Sequence, residues 1–162
     1  MQIRNATIYD VSIIQALIDG SIGDGTLMHV PIWKLIKNID NFVVAEADGH
    51  MIGCLSKYKH ADGVYELCSL LVKEKYRGRN IGEQLNKRLI ESLNNTDFIF
   101  VITKIPAYAK QIGFIEVKKR EIPGIVWIHK IRTLFEQKLT NWSVILRSRW
   151  TFMKYNRETD TT

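Results

Sequence analysis

The stretch Val72-Lys73-Glu74-Lys75-Tyr76-Arg77-Gly78-Arg79-Asn80-Ile81-Gly82-Glu83-Gln84-Leu85 decides the reading of this chain, because it passes from an apolar run through a short basic glycine loop into an amphipathic helix. Ahead of it, Glu66-Leu67-Cys68-Ser69-Leu70-Leu71-Val72 has the length and apolar content of a strand. Behind it, Ile81, Leu85, Leu89 and Leu93 recur every four residues and fall on one helix face. In between, Gly78 and Gly82 let backbone amides approach a ligand, and the first helical turn aims its unpaired N–H groups and positive dipole end at the same place. Such a loop suits an anion of the pyrophosphate kind.

Two familiar phosphate loops do not fit. A dinucleotide fingerprint needs three glycines in G-x-G-x-x-G order and an acidic residue about 20 positions on, whereas this loop has two glycines four apart. A Walker A loop needs Gly-Lys and then Ser or Thr for a metal, and Gly82 is followed by Glu83. The bland alternative is a strand-to-helix turn with two convenient glycines and exposed arginines.

The surroundings decide between these. Ile3–Asn5 reads as a short strand, and Ile8–Ile18 as a helix with Thr7 as its cap and Val11, Ile14, Leu17 and Ile18 inward. A glycine-rich loop, Gly20–Gly25, leads to a second short helix, Pro31–Ile39, with the proline in its first turn. Phe42–Ala47 and Met51–Tyr58 are strands joined by Asp48-Gly49, a hairpin signal, and Val64–Val72 follows across Asp62-Gly63. After the loop and its helix come a strand at Phe98–Thr103, a short helix at Ala107–Ile112 and a strand opening at Gly113-Phe114-Ile115.

The loop resembles the acyl-CoA signature of the GNAT N-acetyltransferase superfamily, Arg/Gln-x-x-Gly-x-Gly/Ala, with Arg77 first and Gly82 last. Asn80 stands where the middle glycine is usual, and asparagine tolerates a left-handed backbone better than other residues with a side chain. The element order β-α-α-β-β-β-α-β-α-β extends this resemblance from Ile3 to about Val117. It implies a mixed α/β (α+β) fold, the GNAT acyl-CoA N-acyltransferase fold, with a central mostly antiparallel sheet flanked by helices. Glu66-Leu67-Cys68-Ser69-Leu70 and Ile122-Pro123-Gly124-Ile125-Val126-Trp127 look most like bacterial N-acetylglutamate synthases and related amino-acid acetyltransferases. Where that subfamily carries arginines before its second helix, this chain reads His29-Val30-Pro31-Ile32, which argues against glutamate as acceptor.

The resemblance implies acetyl-CoA as co-substrate. The backbone of Leu70, Leu71 and Val72 would hold the pantetheine arm like an added strand, with one amide polarising the thioester carbonyl. Arg77, Gly78, Arg79, Asn80, Ile81 and Gly82 would cradle the pyrophosphate. Glu66, the only acid between Val64 and Val72, is the candidate base, drawing the proton through water; the alternative is a solvated outward side chain. The family's usual acid, a tyrosine four residues before the Gly-Phe pair, falls on Ala109. Tyr108 is then the candidate acid if its helix is rotated, or a packing residue if not.

The 162 residues are enough for one domain, 1–157, with a disordered tail over 158–162. Hydrophobic residues at 46% and charged residues at 25% are globular values. No apolar run approaches a membrane span, and Met1–Asn5 lacks the apolar core of a signal peptide, so a cytoplasmic protein without a membrane partner is expected. Cys54 and Cys68 lie in apolar runs and read as buried reduced thiols, and His29, His50, His60 and His129 show no metal spacing, so no metal is expected.

Residues 1–117 carry 13 Lys/Arg and 13 Asp/Glu, whereas residues 118–162 carry 10 and 4, so the whole net charge of +6 is C-terminal. There, basic residues including Lys118, Lys119, Arg120 and Lys130 alternate with Trp127, Phe135, Trp142, Trp150 and Phe152. One reading is a surface for nucleic acid or an acidic protein. The other is a closing helix near Ile125–Lys138 and an edge strand near Trp142–Trp150, with the basic residues facing water. An edge strand also leaves a homodimer open. The leading expectation is an acetyl-CoA-dependent N-acetyltransferase acting on a small-molecule amine such as an amino acid. Its alternatives are a module that senses acyl-CoA or binds nucleic acid without turnover, and an enzyme that modifies a macromolecular amine.

Overall fold

A computed structural model of the chain describes residues 1–21, 30–136 and 150–157. Among the described residues, seven strands form one sheet: β1 (Gln2–Asn5), β2 (Phe42–Ala47), β3 (His50–Ala61), β4 (Val64–Val72), β5 (Phe98–Thr103), β6 (Phe114–Glu116) and β7 (Thr151–Tyr155), in the order β1-β2-β3-β4-β5-β7-β6. The α-helices are α1 (Val11–Asp19), α2 (Ile32–Lys37), α3 (Ile81–Ile90), α4 (Pro106–Gln111) and α5 (Gly124–Glu136). Two compact units share β3 and β4: one holds Met1–Tyr58 and Leu67–Leu93, the other Lys59–Glu66 and Asn94–Thr162. The mixed sheet with helices is the fold that the sequence implied.

In the first unit β1 pairs antiparallel with β2, and β2 with β3. The turn between β2 and β3 holds Asp48 at φ 52° and Gly49 at φ 72°, the two left-handed residues of a type I′ hairpin. Phe42, Val43, Val44 and Ala45 are all buried, which fits a strand covered on both faces. Phe42 and Val44 join Val11, Ile14 and Ile18 of α1 and Leu35 of α2 in one core, while α3 packs on β1 and β2. Entry to α1 is fixed by Asp10, whose carboxylate accepts the Thr7 N–H at 2.7 Å, the Thr7 hydroxyl at 3.0 Å and two guanidinium nitrogens of Arg4 at 2.7 and 2.9 Å. The expected helix from Ile8 thus begins as a 3-10 turn over Ile8–Asp10. Pro31 caps α2 from outside rather than sitting in its first turn.

In the second unit β4 runs parallel to β5 over Val64–Glu66, and β7 lies between β5 and β6, antiparallel to both. Phe100, Ile122 and Val126 form its buried centre, with Trp127 against Phe152 and Phe114 edge-on to Tyr155, both at 5.3 Å between ring centroids.

Two further sequence expectations change, at Leu93 and at Cys68. The α3 helix ends at Ile90, and Leu93 sits in the turn after it, because Ser92 and Leu93 bond three residues back rather than four. The last described strand is Thr151–Tyr155 and is internal, because β5 and β6 both draw backbone partners from it. Positions 142–149 of the expected edge strand lie outside the described residues, as do most of the Gly20–Gly25 loop and the 158–162 tail. Cys54 is buried as expected, whereas Cys68 is partly exposed; neither is in a disulfide. Among the described residues no helix is long and apolar enough to cross a membrane.

Candidate active site

The backbone of β4 changes character at Ser69, which holds φ at 57°, a left-handed conformation that few residues other than glycine adopt. Side chains from β3 pin the strand there: the Ser56 hydroxyl donates to the Cys68 carbonyl at 3.0 Å and the Cys54 thiol to the Ser69 carbonyl at 3.8 Å. A Cβ at Gly53 would lie 2.8 Å from the Leu71 oxygen, so this close approach admits only glycine without a backbone shift. Leu71 thus turns its backbone toward β3, as does Lys73, whose N–H donates to the Ile52 carbonyl at 2.9 Å. Strand alternation sends the backbone groups of Leu70 and Val72 to the opposite edge. Of the three residues suggested for holding an extended ligand arm, Leu70 and Val72 present backbone, while the Leu71 side chain packs on the first core.

Beyond β4 the chain makes a 3-10 turn over Glu74–Tyr76 and then two left-handed residues, Gly78 at φ 75° and Asn80 at φ 56°. Nothing lies within 4 Å of a Cβ built on Gly78, so its requirement is conformational and the space beside it is open. Asn80 takes the left-handed cap position, as the sequence suggested for a residue replacing glycine. Ile81 anchors the start of α3 in the core at 3% exposure. The first helical bond runs from the Gln84 N–H to the Asn80 carbonyl, leaving the N–H groups of Ile81, Gly82 and Glu83 to point out of the helix end. Buried Asn86 donates to the Gly82 carbonyl at 2.8 Å and fixes that turn from within. Arg77 and Arg79 are exposed; Arg77 Nε donates to the Val72 carbonyl at 3.2 Å, and Arg79 stacks 5.4 Å from the Tyr76 ring centroid. Amide donors, a helix N-terminus and two guanidinium groups in seven residues make an anion cradle.

Glu66, on the same strand, belongs to the second unit and is 6% exposed, not the solvated side chain that the sequence left as an alternative. Its Oε2 lies 2.8 Å from His60 Nε2 and its Oε1 accepts from Lys130 Nζ at 2.7 Å. His60, 5% exposed, continues to His129, with 3.3 Å between the two Nδ1 atoms and the rings stacked at 5.4 Å. Burial by itself would raise the proton affinity of Glu66; the His60 hydrogen bond and the charge and hydrogen bond of Lys130 outweigh it and hold the carboxyl below its ordinary range. Sequence reasoning did not find these partners. Lys130 was grouped with the solvent-facing basic residues, and His60 and His129 were considered only as metal ligands. The Asp62-Gly63 hairpin does place His60 and Glu66 on adjacent strands, but the face each takes depends on a register that the turn residues leave open.

Tyr108 and Ala109 lie on α4. Ala109 is buried at 4% exposure, and the Tyr108 hydroxyl is shielded from solvent.

The family model for the GNAT acetyltransferases matches residues 23–116, more than half of the chain. An uncharacterized N-acetyltransferase of Chlorobaculum tepidum is 29% identical over 127 residues, covering 77% of this chain and 82% of that protein. An amino-acid acetyltransferase of Aeromonas salmonicida is 28% identical over 145 residues, which is 87% of this chain and 30% of that longer protein. The crystal structure of N-acetylglutamate synthase from Neisseria gonorrhoeae, complexed with coenzyme A and N-acetyl-glutamate, shares the fold at a TM-score of 0.78 and 21% identity, over 96% of this chain and 35% of that one. With the glycine–arginine cradle opening α3 and the family match running through it, the chain belongs to the GNAT acetyltransferase family and is an acetyl-CoA-dependent acetyltransferase.

Proposed function

We propose that acetyl-CoA lies with its pyrophosphate on Arg77–Gly82 and its pantetheine arm along the backbone of Leu70 and Val72, and that the acetyl group goes to the primary amine of a small molecule of amino-acid type, in the cytoplasm. The observation that carries the donor half is the pair of left-handed residues, Gly78 and Asn80, that turn β4 into the N-terminus of α3. The acceptor half is supported by the likeness to amino-acid acetyltransferases over 87% of the chain. The described part of the segment before α2 has no arginine for a second carboxylate: Val30 packs on the core, Pro31 caps the helix and Ile32 is 51% exposed. An amino acid other than glutamate fits this better. With Ala109 at the family's tyrosine position, the thiolate leaves without a dedicated acid, which a thiol of pKa about 8.5 allows.

Calorimetric titration of acetyl-CoA, followed by thiol release over a panel of free amino acids and simple amines, tests both halves. The expected result is saturable binding, weakened at least ~10-fold by Gly82→Asp through like-charge repulsion at the helix end, and thiol release with one or more α-amino acids. Binding without release on any amine would overturn the acceptor reading.

One observation favours a macromolecular acceptor. In the second unit Lys104 lies over Trp150 at 4.7 Å, Lys154 over Phe98 at 5.2 Å and Lys119 over Phe152 at 5.7 Å, a repeated cation–aromatic pattern. Salt-sensitive RNA binding that competes with free amino acids would support that reading instead.

A further inference from the structure

Glu66 is poorly placed to be the group that takes the proton. Both of its oxygens are engaged, one by Lys130 and one by His60, and it is buried. The hydrogen bonds also have a direction. An ionised carboxylate only accepts, so the His60 Nε2–H donates to Glu66. In the neutral His60 ring the lone pair is then on Nδ1, and His129, 3.3 Å away through its own Nδ1, donates to it. The unprotonated nitrogen of a neutral His129 is therefore Nε2. Accessibility runs the same way, from Glu66 and His60 at 6% and 5% exposure to the half-buried His129.

We propose that His129, through Nε2, is the base that takes the proton of the acceptor amine, and that Glu66 is a positioning residue that acts on it through His60. The inference rests on the amine-acceptor reading above. Nucleophile activation by an imidazole whose other nitrogen is oriented toward a buried carboxylate is established chemistry, extended here by a second imidazole. Among the described residues, the groups facing the relay include Glu66 from β4, Lys130 from α5 and the apolar ring of Phe100 from β5, 5.5 Å from His60. Lys130 balances the carboxylate at rest. When His129 gains a proton at Nε2, its Nδ1–H leans toward His60 Nδ1 and the His60 Nε2–H leans toward Glu66, which stabilises the charge.

The step balances. One proton of the ammonium passes to His129 Nε2, the amine nitrogen forms a bond to the thioester carbon, the C–S bond breaks with its electron pair leaving on sulfur, and the second nitrogen proton neutralises the thiolate. An α-amine titrates near 7.7–8.0 and a lysine-type amine near 10.4, so any one base draws the proton from the first more readily by roughly several hundred-fold. The relay suits an α-amino group.

The test compares His129→Gln, His129→Ala and Glu66→Gln in the full chain. Expected are a fall in kcat/KM of about 10²–10⁴-fold in His129→Gln with acetyl-CoA affinity kept, loss of the acidic limb of the pH profile in that variant, and rescue of His129→Ala by added imidazole. Glu66→Gln keeps the acidic limb but moves it to lower pH, because the charged imidazole loses the carboxylate. If Glu66→Gln fails to fold, the double variant Glu66→Gln/Lys130→Met restores the charge balance. A His129→Gln enzyme with wild-type activity and an intact acidic limb would overturn the proposal and return the base to Glu66. Histidine ¹⁵N spectra of the free protein need no turnover: they should show His60 unprotonated at Nδ1 and His129 at Nε2. Protonation of His129 at Nε2 instead would sink the relay even if the enzyme is active. A wild type silent on every amine, with the expected spectra, would instead sink the amine-acceptor reading alone.

Discussion

The anion cradle and the Glu66 network are built in opposite ways. The cradle is seven consecutive residues, Arg77–Glu83, whose chemistry lies in backbone N–H groups and in φ angles that Gly78 and Asn80 set locally. The network is four side chains from three elements, His60 on β3, Glu66 on β4, and His129 and Lys130 on α5, with bonded partners up to 69 residues apart. One site depends on local backbone preference and the other on tertiary packing. Mutations should therefore act on them differently.

The largest effect is expected at the network. Glu66→Ala removes the carboxylate and leaves the Lys130 ammonium and the buried His60 donor without it, the situation in which a broken buried pair costs about 3–5 kcal/mol. Replacing both partners, as in Glu66→Leu/Lys130→Met, should cost less than Glu66→Ala alone. Urea denaturation of the single and double variants measures this; additive losses would mean that the charges act independently. The pH dependence has a definite sign. The Glu66 carboxyl lies below its ordinary range, so its stabilisation is complete above about pH 4.5 and is lost as the pH falls through the folded-state value. Glu66→Gln should flatten that part of the acid-unfolding curve.

The first unit has a counterpart whose parts are near in sequence. Arg4 grips Asp10 with two nitrogens, and that hydrogen bonding, which outweighs the effect of burial, lowers the Asp10 pKa to about 2. Its stabilisation is present above about pH 3.9 and disappears between there and pH 2. Asp10→Asn should cost on the order of 2 kcal/mol at pH 7 and little at pH 2, since Arg4 is partly exposed and its charge partly screened. An equal loss at both pH values would show a capping effect without the ion pair.

Much of the fold was legible for the reason that the cradle was. The Asp48-Gly49 hairpin, the four-residue spacing of Ile81, Leu85 and Leu89, and the all-apolar Phe42–Ala45 each report their own conformation. The end of α3, the internal position of β7 and the role of Lys130 were not legible, because each is settled by a partner elsewhere in the chain. Leu93 continues the α3 periodicity, yet the turn at Ser92 and Leu93 stops the helix before it. Lys130 looks like its basic neighbours until Glu66 is placed at 2.7 Å. Ala109 is the informative middle case: its sequence position showed that the usual tyrosine was absent, and only packing shows the Tyr108 hydroxyl shielded from solvent.

Gly53 is where local backbone and tertiary contact meet. An added Cβ would lie 2.8 Å from the Leu71 carbonyl oxygen, a backbone atom that cannot move alone. Gly53→Ala should cost about 1–3 kcal/mol and weaken acetyl-CoA binding, because shifting Leu71 also moves Leu70 and Val72. Unchanged affinity at reduced stability would separate the strand edge from the donor site and break the proposed path of the pantetheine arm.

The smallest effect is the sharpest test of the cradle as a local structure. Asn80 holds φ 56° and ψ 18° at the start of α3, with its side chain exposed. The cost of a left-handed residue there is intrinsic to residue 80, so it should follow the residue type rather than any contact. Asn80→Ala should lose about 1 kcal/mol and some acetyl-CoA affinity as the first turn of α3 loosens. Asn80→Gly, which restores the family's usual residue, removes the backbone strain but adds freedom to the unfolded chain, so its stability should stay within about 0.5 kcal/mol of wild type. Donor affinity should be kept or improved. Stability by thermal unfolding and affinity by calorimetry together decide the matter: if Asn80→Gly loses affinity while Asn80→Ala keeps it, the asparagine side chain contacts the donor, and the cradle is not the backbone device that its φ angles describe.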